Sequence, residues 1–136
     1  MTENDGKVCI LKIEEETKQN TNFRTTLWTG KHTQLTVMSI VAGGEIGLEV
    51  HHDVDQFIRA EAGSGTIISG PSEAEVSETG TLEADMAVLV PAGTWHNIKN
   101  SGDVELKIYS LYSPAEHAPG TVHITKADAD AAEAAV

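Results

Sequence analysis

The chain has 136 residues, enough to bury one core of ordinary size and no second one. Its 21 acidic against 9 basic residues give a formal charge of −12, which repels a phosphate backbone and excludes nucleic acid as an expected partner. No apolar run approaches the roughly 18 residues of a membrane span, residues 1–6 are polar, and Cys9 has no second cysteine to pair with, so a soluble, unexported, cytoplasmic protein is expected.

In chain order, residues 1–30 are polar and acidic around Glu14, Glu15 and Glu16, and read as an arm lying against the body and pairing with a neighbouring subunit. From 31 to 113 the chain is built of short alternating or apolar runs separated by Gly, Pro, Asp and Asn, the pattern of an all-β sandwich or barrel. The spacing predicts strands over 34–41, 47–51, 56–60, 65–68, 87–90, 95–98 and 106–112. Residues 71–83, with Glu73, Glu75, Glu78 and Glu83, read as a solvated acidic hairpin. Residues 114–136 read as a C-terminal lid followed by a short Ala-rich helix over 126–135, with Asp128 and Asp130 in its first turns.

Two segments carry the chemistry. The first runs Gly43-x5-Glu49-x-His51-x4-Gln56-x6-Gly63, the second Pro91-x-Gly93-x2-His96-x3-Asn100. They resemble the two motifs of the cupin superfamily, in which three histidines and a glutamate converge on one metal ion inside a small β-barrel of jelly-roll type. Glu49 stands at the place of the first motif's leading His, Gln56 at the place of its Glu, and Asp85 at the place of the second motif's opening Gly. The chain from Asn22 onward, including the tail from Tyr112 to Lys126, resembles small single-domain bacterial cupins, members of which commonly carry the description mannose-6-phosphate isomerase-like.

Alternation along an extended strand puts Glu49 and His51 on one face and Val50 and His52 on the other. If the barrel closes as the resemblance implies, Glu49, His51, His96 and Gln56 meet inside it. The two imidazoles and one carboxylate suit Fe(II) and also accept Mn, Co, Ni or Zn, with Gln56 a weak fourth ligand. The total ligand charge stays −1, as in three imidazoles and one glutamate. The alternative is a pocket filled by a Glu49–Gln56 hydrogen bond that binds nothing.

Further residues are weighed by position. His32 and His52 read as surface histidines, Asp53 and Asp55 as turn residues, and Trp95 as core or interface. Tyr109 is a pocket candidate, with Tyr112 on the opposite face of its strand. His117 and His123, in an irregular Pro/Gly segment, are pocket candidates within the lid. The expected function is metal-dependent action on a small organic molecule, as a dioxygenase or an isomerase. The other class is a non-catalytic small-molecule binding or sensing module. A homodimer is the expected assembly, since small cupins commonly pair.

Overall fold

The computed structural model describes residues 2–134, and they form the expected all-β jelly roll with a short C-terminal helix. The elements are α1 (Ile13–Gln19), β1 (Arg24–Thr29), β2 (Gln34–Ile40), β3 (Asp55–Ala62), β4 (Ser64–Gly70), β5 (Ser77–Glu83), β6 (Ala87–Val90), β7 (Trp95–Asn100), β8 (Leu106–Ser113), β9 (Val122–His123) and α2 (Lys126–Ala134). A six-stranded sheet in the order β6-β3-β8-β2-β1-β9 faces a three-stranded sheet in the order β5-β4-β7. Every pairing is antiparallel.

The period of two along each strand decides what lies between the sheets. Ile58 and Ala60 of β3, Leu106 and Ile108 of β8, Met38 and Ile40 of β2, and Ile67, Leu82 and Ile98 of the smaller sheet make one core, closed at one end by Phe23 and Ala129. β2 is buried along its whole length. Its second face is covered by the N-terminal segment: Asn22 accepts from the Ser39 N–H at 3.1 Å, and α1 packs across β2, β3 and β8.

One expectation is corrected. Residues 47–51 form no strand; the stretch between β2 and β3 touches the smaller sheet through single bridges, Glu45 to Lys99 and Glu49 to His96. Within 1–30, the arm expected to lie against the body has residues 13–19 helical and 24–29 in a strand paired with both β2 and β9. Three glutamates at the start of α1 complement its dipole, a local signal that the absence of a long apolar period obscured. The acidic hairpin exists, with β5 exposed at every position but Leu82. The helix expected over 126–135 covers Lys126–Ala134, its last residue lying outside the described ones.

Candidate metal centre

The loop before β3 is held to the smaller sheet by the second motif. The N–H groups of Glu49 and His96 each donate to the other's carbonyl, both at 2.9 Å, and Gly93 donates to the His51 carbonyl at 2.8 Å. Asn97 accepts from the Gly47 N–H at 2.9 Å, and Asp55 accepts from the Ala92 N–H at 2.8 Å. The turn that presents His96 is therefore fastened to both sides of the segment that presents Glu49 and His51. Asn100, the last letter of the second motif, ties the neighbouring loops by donating to the carbonyls of Ile40 and Val104 at 2.9 and 2.8 Å.

These fasteners bring Glu49, His51 and His96 together. One ligand atom from each lies within 4.8 Å of the others. The Glu49 carboxylate is 3.4 Å from His51 Nε2 and 3.6 Å from His96 Nε2. Each ring is oriented from behind: His96 Nδ1 donates to the Thr94 carbonyl at 2.9 Å, and His51 Nδ1 faces the Glu116 carboxylate at 3.2 Å. Both Nε2 lone pairs are thereby aimed at the shared space, in the way outer partners fix the tautomer of metal-bound histidines.

Gln56 is 4% exposed and sits opposite Tyr112 across the β3–β8 ladder. Its amide donates to the Ser110 hydroxyl at 3.3 Å, so the pocket is not filled by a Glu49–Gln56 hydrogen bond. The buried Oε1 of Gln56 and the Nε2 atoms of His51 and His96 lack hydrogen-bond partners among the described residues. Buried polar atoms are normally satisfied. The two imidazole nitrogens beside the Glu49 carboxylate are a donor set that fits a divalent cation.

The electrostatics point the same way. Burial raises the Glu49 carboxyl, but the adjacent imidazoles of His51 and His96 overcome it and hold the group down to about 2. For His51, burial favours the neutral ring, while Glu49 and Glu116 outweigh it and raise the imidazole above its ordinary value. Both shifts express one preference, for positive charge between carboxylates.

The centre opens into a cavity of about 630 Å³ lined by residues that include Arg24, Trp95, Glu116, His117 and His123. His117 and His123, the pocket candidates of the tail, thus border the cavity. Tyr109 does not: its ring packs on Phe57 at 6.2 Å on the outer face of the sheet. Tyr112 turns inward, its ring 5.9 Å from His51 and 5.2 Å from His117. Trp95, expected in the core or at an interface, is half-buried and lines the cavity. His32 and His52 are exposed, as expected.

Two participants were missed by sequence reasoning, Glu116 and Arg24. Glu116 is placed by Gln34, whose fully buried amide accepts from the N–H groups of Glu116 and His117 at 3.2 and 3.0 Å and donates to the His117 carbonyl at 2.7 Å. A glutamine 82 positions earlier leaves no local trace at Glu116.

The fold and site define a cupin. Residues 36–112 match the family described as Cupin domain, and the chain belongs to that family. YrkC of Bacillus subtilis is 52% identical over 93% of this chain and 68% of its own length. A protein of Acanthamoeba polyphaga mimivirus is 36% identical over 93% of this chain and 78% of its own. The crystal structure of BH2720 from Bacillus halodurans superposes with a TM-score of 0.89 at 49% identity, covering 90% of this chain and 93% of that one.

Proposed function

We propose that this cupin binds a divalent transition-metal ion through Glu49, His51 and His96, with Gln56 beside them, and acts on a small organic molecule that enters the cavity. The observation that carries the reading is the pair of orphaned, buried imidazole nitrogens, of His51 and His96, beside one carboxylate. Two imidazoles and one carboxylate are the donor set of many Fe(II) sites and also serve Mn, Co, Ni and Zn. Such an ion supplies Lewis acidity, or a place for O2 to react.

The chain's own residues have separate tasks. Glu116 and the Thr94 carbonyl hold the two rings in the ligating tautomer. Trp95, Leu48 and Ile46 give the cavity an apolar wall that excludes water from the bound molecule. Tyr112, its hydroxyl pushed up to about 12 by burial, stays protonated between His51 and His117.

The test is thermal stabilisation by Mn, Fe(II), Co, Ni and Zn. At a hundredfold excess over the dissociation constant, stabilisation reaches about 2.7 kcal/mol. Glu49→Gln removes the only carboxylate among the four positions and abolishes the response. Gln56→Ala weakens binding about 10- to 100-fold and leaves it measurable. Identical responses of wild type and Glu49→Gln overturn the assignment.

A second reading, a non-catalytic binding or sensing module, is favoured by one observation: the carboxylates nearest the centre, Glu49 and Glu116, both face His51, leaving no free acid–base pair. Turnover of keto acids, diketones, catechols or aldoses by the metal-loaded protein decides between the classes. Oxygen uptake with turnover identifies a dioxygenase, and rearrangement without it an isomerase. We further infer a cytoplasmic homodimer. Support for pairing comes from Val8 and Ile10, 91% and 93% exposed, and from the exposed edge strand β5.

A further inference from the structure

Arg24 is the one arginine at the cavity, and it is 6% exposed. An ionised group held out of water normally meets an opposite charge. Among the described residues no carboxylate lies within 4.0 Å of it, and its Nε has no hydrogen-bond partner. Its guanidinium has one hydrogen-bonding partner, the neighbouring Nδ1 of His123 at 3.0 Å, and lies 5.4 Å from the Phe23 ring centre. Tying β9 to β1 does not require the side chain, because Arg24 and His123 are already paired through the backbone.

The surroundings form a path to the metal centre. His123 and His117 lie ring to ring at 6.5 Å, His117 and Tyr112 at 5.2 Å, Tyr112 and His51 at 5.9 Å. His117 also carries a buried Nε2 without a partner. We propose that Arg24, flanked by His117 and His123, is the carboxylate-binding end of the cavity, so that the ligand is a small organic acid gripped at Arg24 with its remaining atoms turned toward Glu49, His51 and His96.

Charge selects carboxylate over phosphate. Burial, with Arg24 beside it, pushes His117 down to about 3, and burial and Arg24 also lower His123, so Arg24 supplies the fixed positive charge at this end of the cavity. Glu49, Glu116, Asp130 and Glu133 line the same cavity. A single carboxylate balances Arg24 and matches its planar fork of donors, whereas a phosphate dianion leaves a net negative charge among four acids.

This deepens the proposed function by naming a substrate class, and it rests on the cavity as a ligand site while being testable without metal. The full chain, as purified and after chelation, is titrated calorimetrically with butyrate, 2-oxobutyrate and inorganic phosphate up to about 10 mM. The carboxylates bind and phosphate binds more weakly. Arg24→Gln lowers carboxylate affinity about tenfold to a hundredfold, Arg24→Lys falls between, and both keep the metal response. Glu49→Gln loses metal but still binds butyrate after chelation.

Because Arg24 and Arg59 are the chain's two arginines, the side-chain Nε–H spectrum of wild type provides a readout that needs no variant. The Arg24 signal shifts with carboxylate and the signal of Arg59, whose Nε donates to Glu61 at 2.7 Å, does not. Equal binding by wild type and Arg24→Gln, tighter binding of phosphate than of butyrate, or an unmoved Arg24 signal at saturation overturns the proposal. Loss of the metal response alone overturns the metal centre and leaves this site standing.

Discussion

Glu116 shows how one residue outside both motifs shapes the centre. Its carboxylate faces His51 Nδ1 and turns Nε2 toward Glu49 and His96. Glu116→Gln keeps the shape and loses the charge that supports the ring. Metal affinity is expected to fall about 10- to 100-fold, read from calorimetric titration of the metal-free protein. His117 behaves differently, because it is held neutral. It faces Arg24 on β1, His123 on β9, Tyr112 on β8, and Glu49 and His51 on the loop, and burial followed by the Arg24 charge brings it to about 3. In the unfolded chain the ring titrates at its ordinary value of 6.5, so the unfolded state binds the proton that the folded state refuses. Its contribution is complete above 6.5 and is lost as pH falls from there toward about 3. Urea unfolding at pH 7 and pH 4.5 therefore shows a larger loss for wild type than for His117→Leu, by about 1–3 kcal/mol.

At the scale of elements, the glycines of the motifs do different work. Gly63 joins β3 to β4 at φ +89°, and a Cβ there would lie 2.6 Å from the Glu105 carbonyl oxygen. Gly43 has φ +77° and open space around it. Gly43→Ala is expected to cost about 1 kcal/mol for the left-handed backbone alone. Gly63→Ala adds a collision with backbone and is expected to cost about 2–4 kcal/mol, measured by chemical denaturation. At Asp85, where the family motif has Gly, the chain keeps the left-handed turn at φ 71° with a non-glycine. Aspartate tolerates that region, and here its carboxylate accepts from Arg59 at 3.1 Å.

For the whole molecule, a jelly roll leaves edges. β5 is exposed along the smaller sheet, and Val8, Ile10 and Leu89 stand out into solvent. Burying apolar area of this kind is the ordinary reason for a subunit contact. Sedimentation equilibrium at micromolar concentration is expected to give twice the 14.5 kDa chain mass; a one-chain mass refutes the dimer. The same acidic chain carries one buried arginine beside its cavity, so the molecule repels polyanions at long range and offers a single cation to a small acid at short range.

Strand-length apolar runs and turn residues determined an all-β sandwich or barrel, and the resemblance of the two motifs to cupins narrowed it to the jelly roll. The resemblance of the two motifs likewise pointed to Glu49, His51 and His96, which the structure brings together. The tertiary structure decided what depends on partners far apart in the chain. The stretch around Glu49 gained its shape from β7 rather than from a strand of its own, and Trp95 joined the cavity wall. Tyr112, and not Tyr109, faces the site because strand register, which a one-residue slip reverses, is set by pairing with β2 and β3. Glu116 and Arg24 reach the cavity only through Gln34 and the β1–β9 pairing, contacts 82 and 99 residues apart that no local pattern encodes.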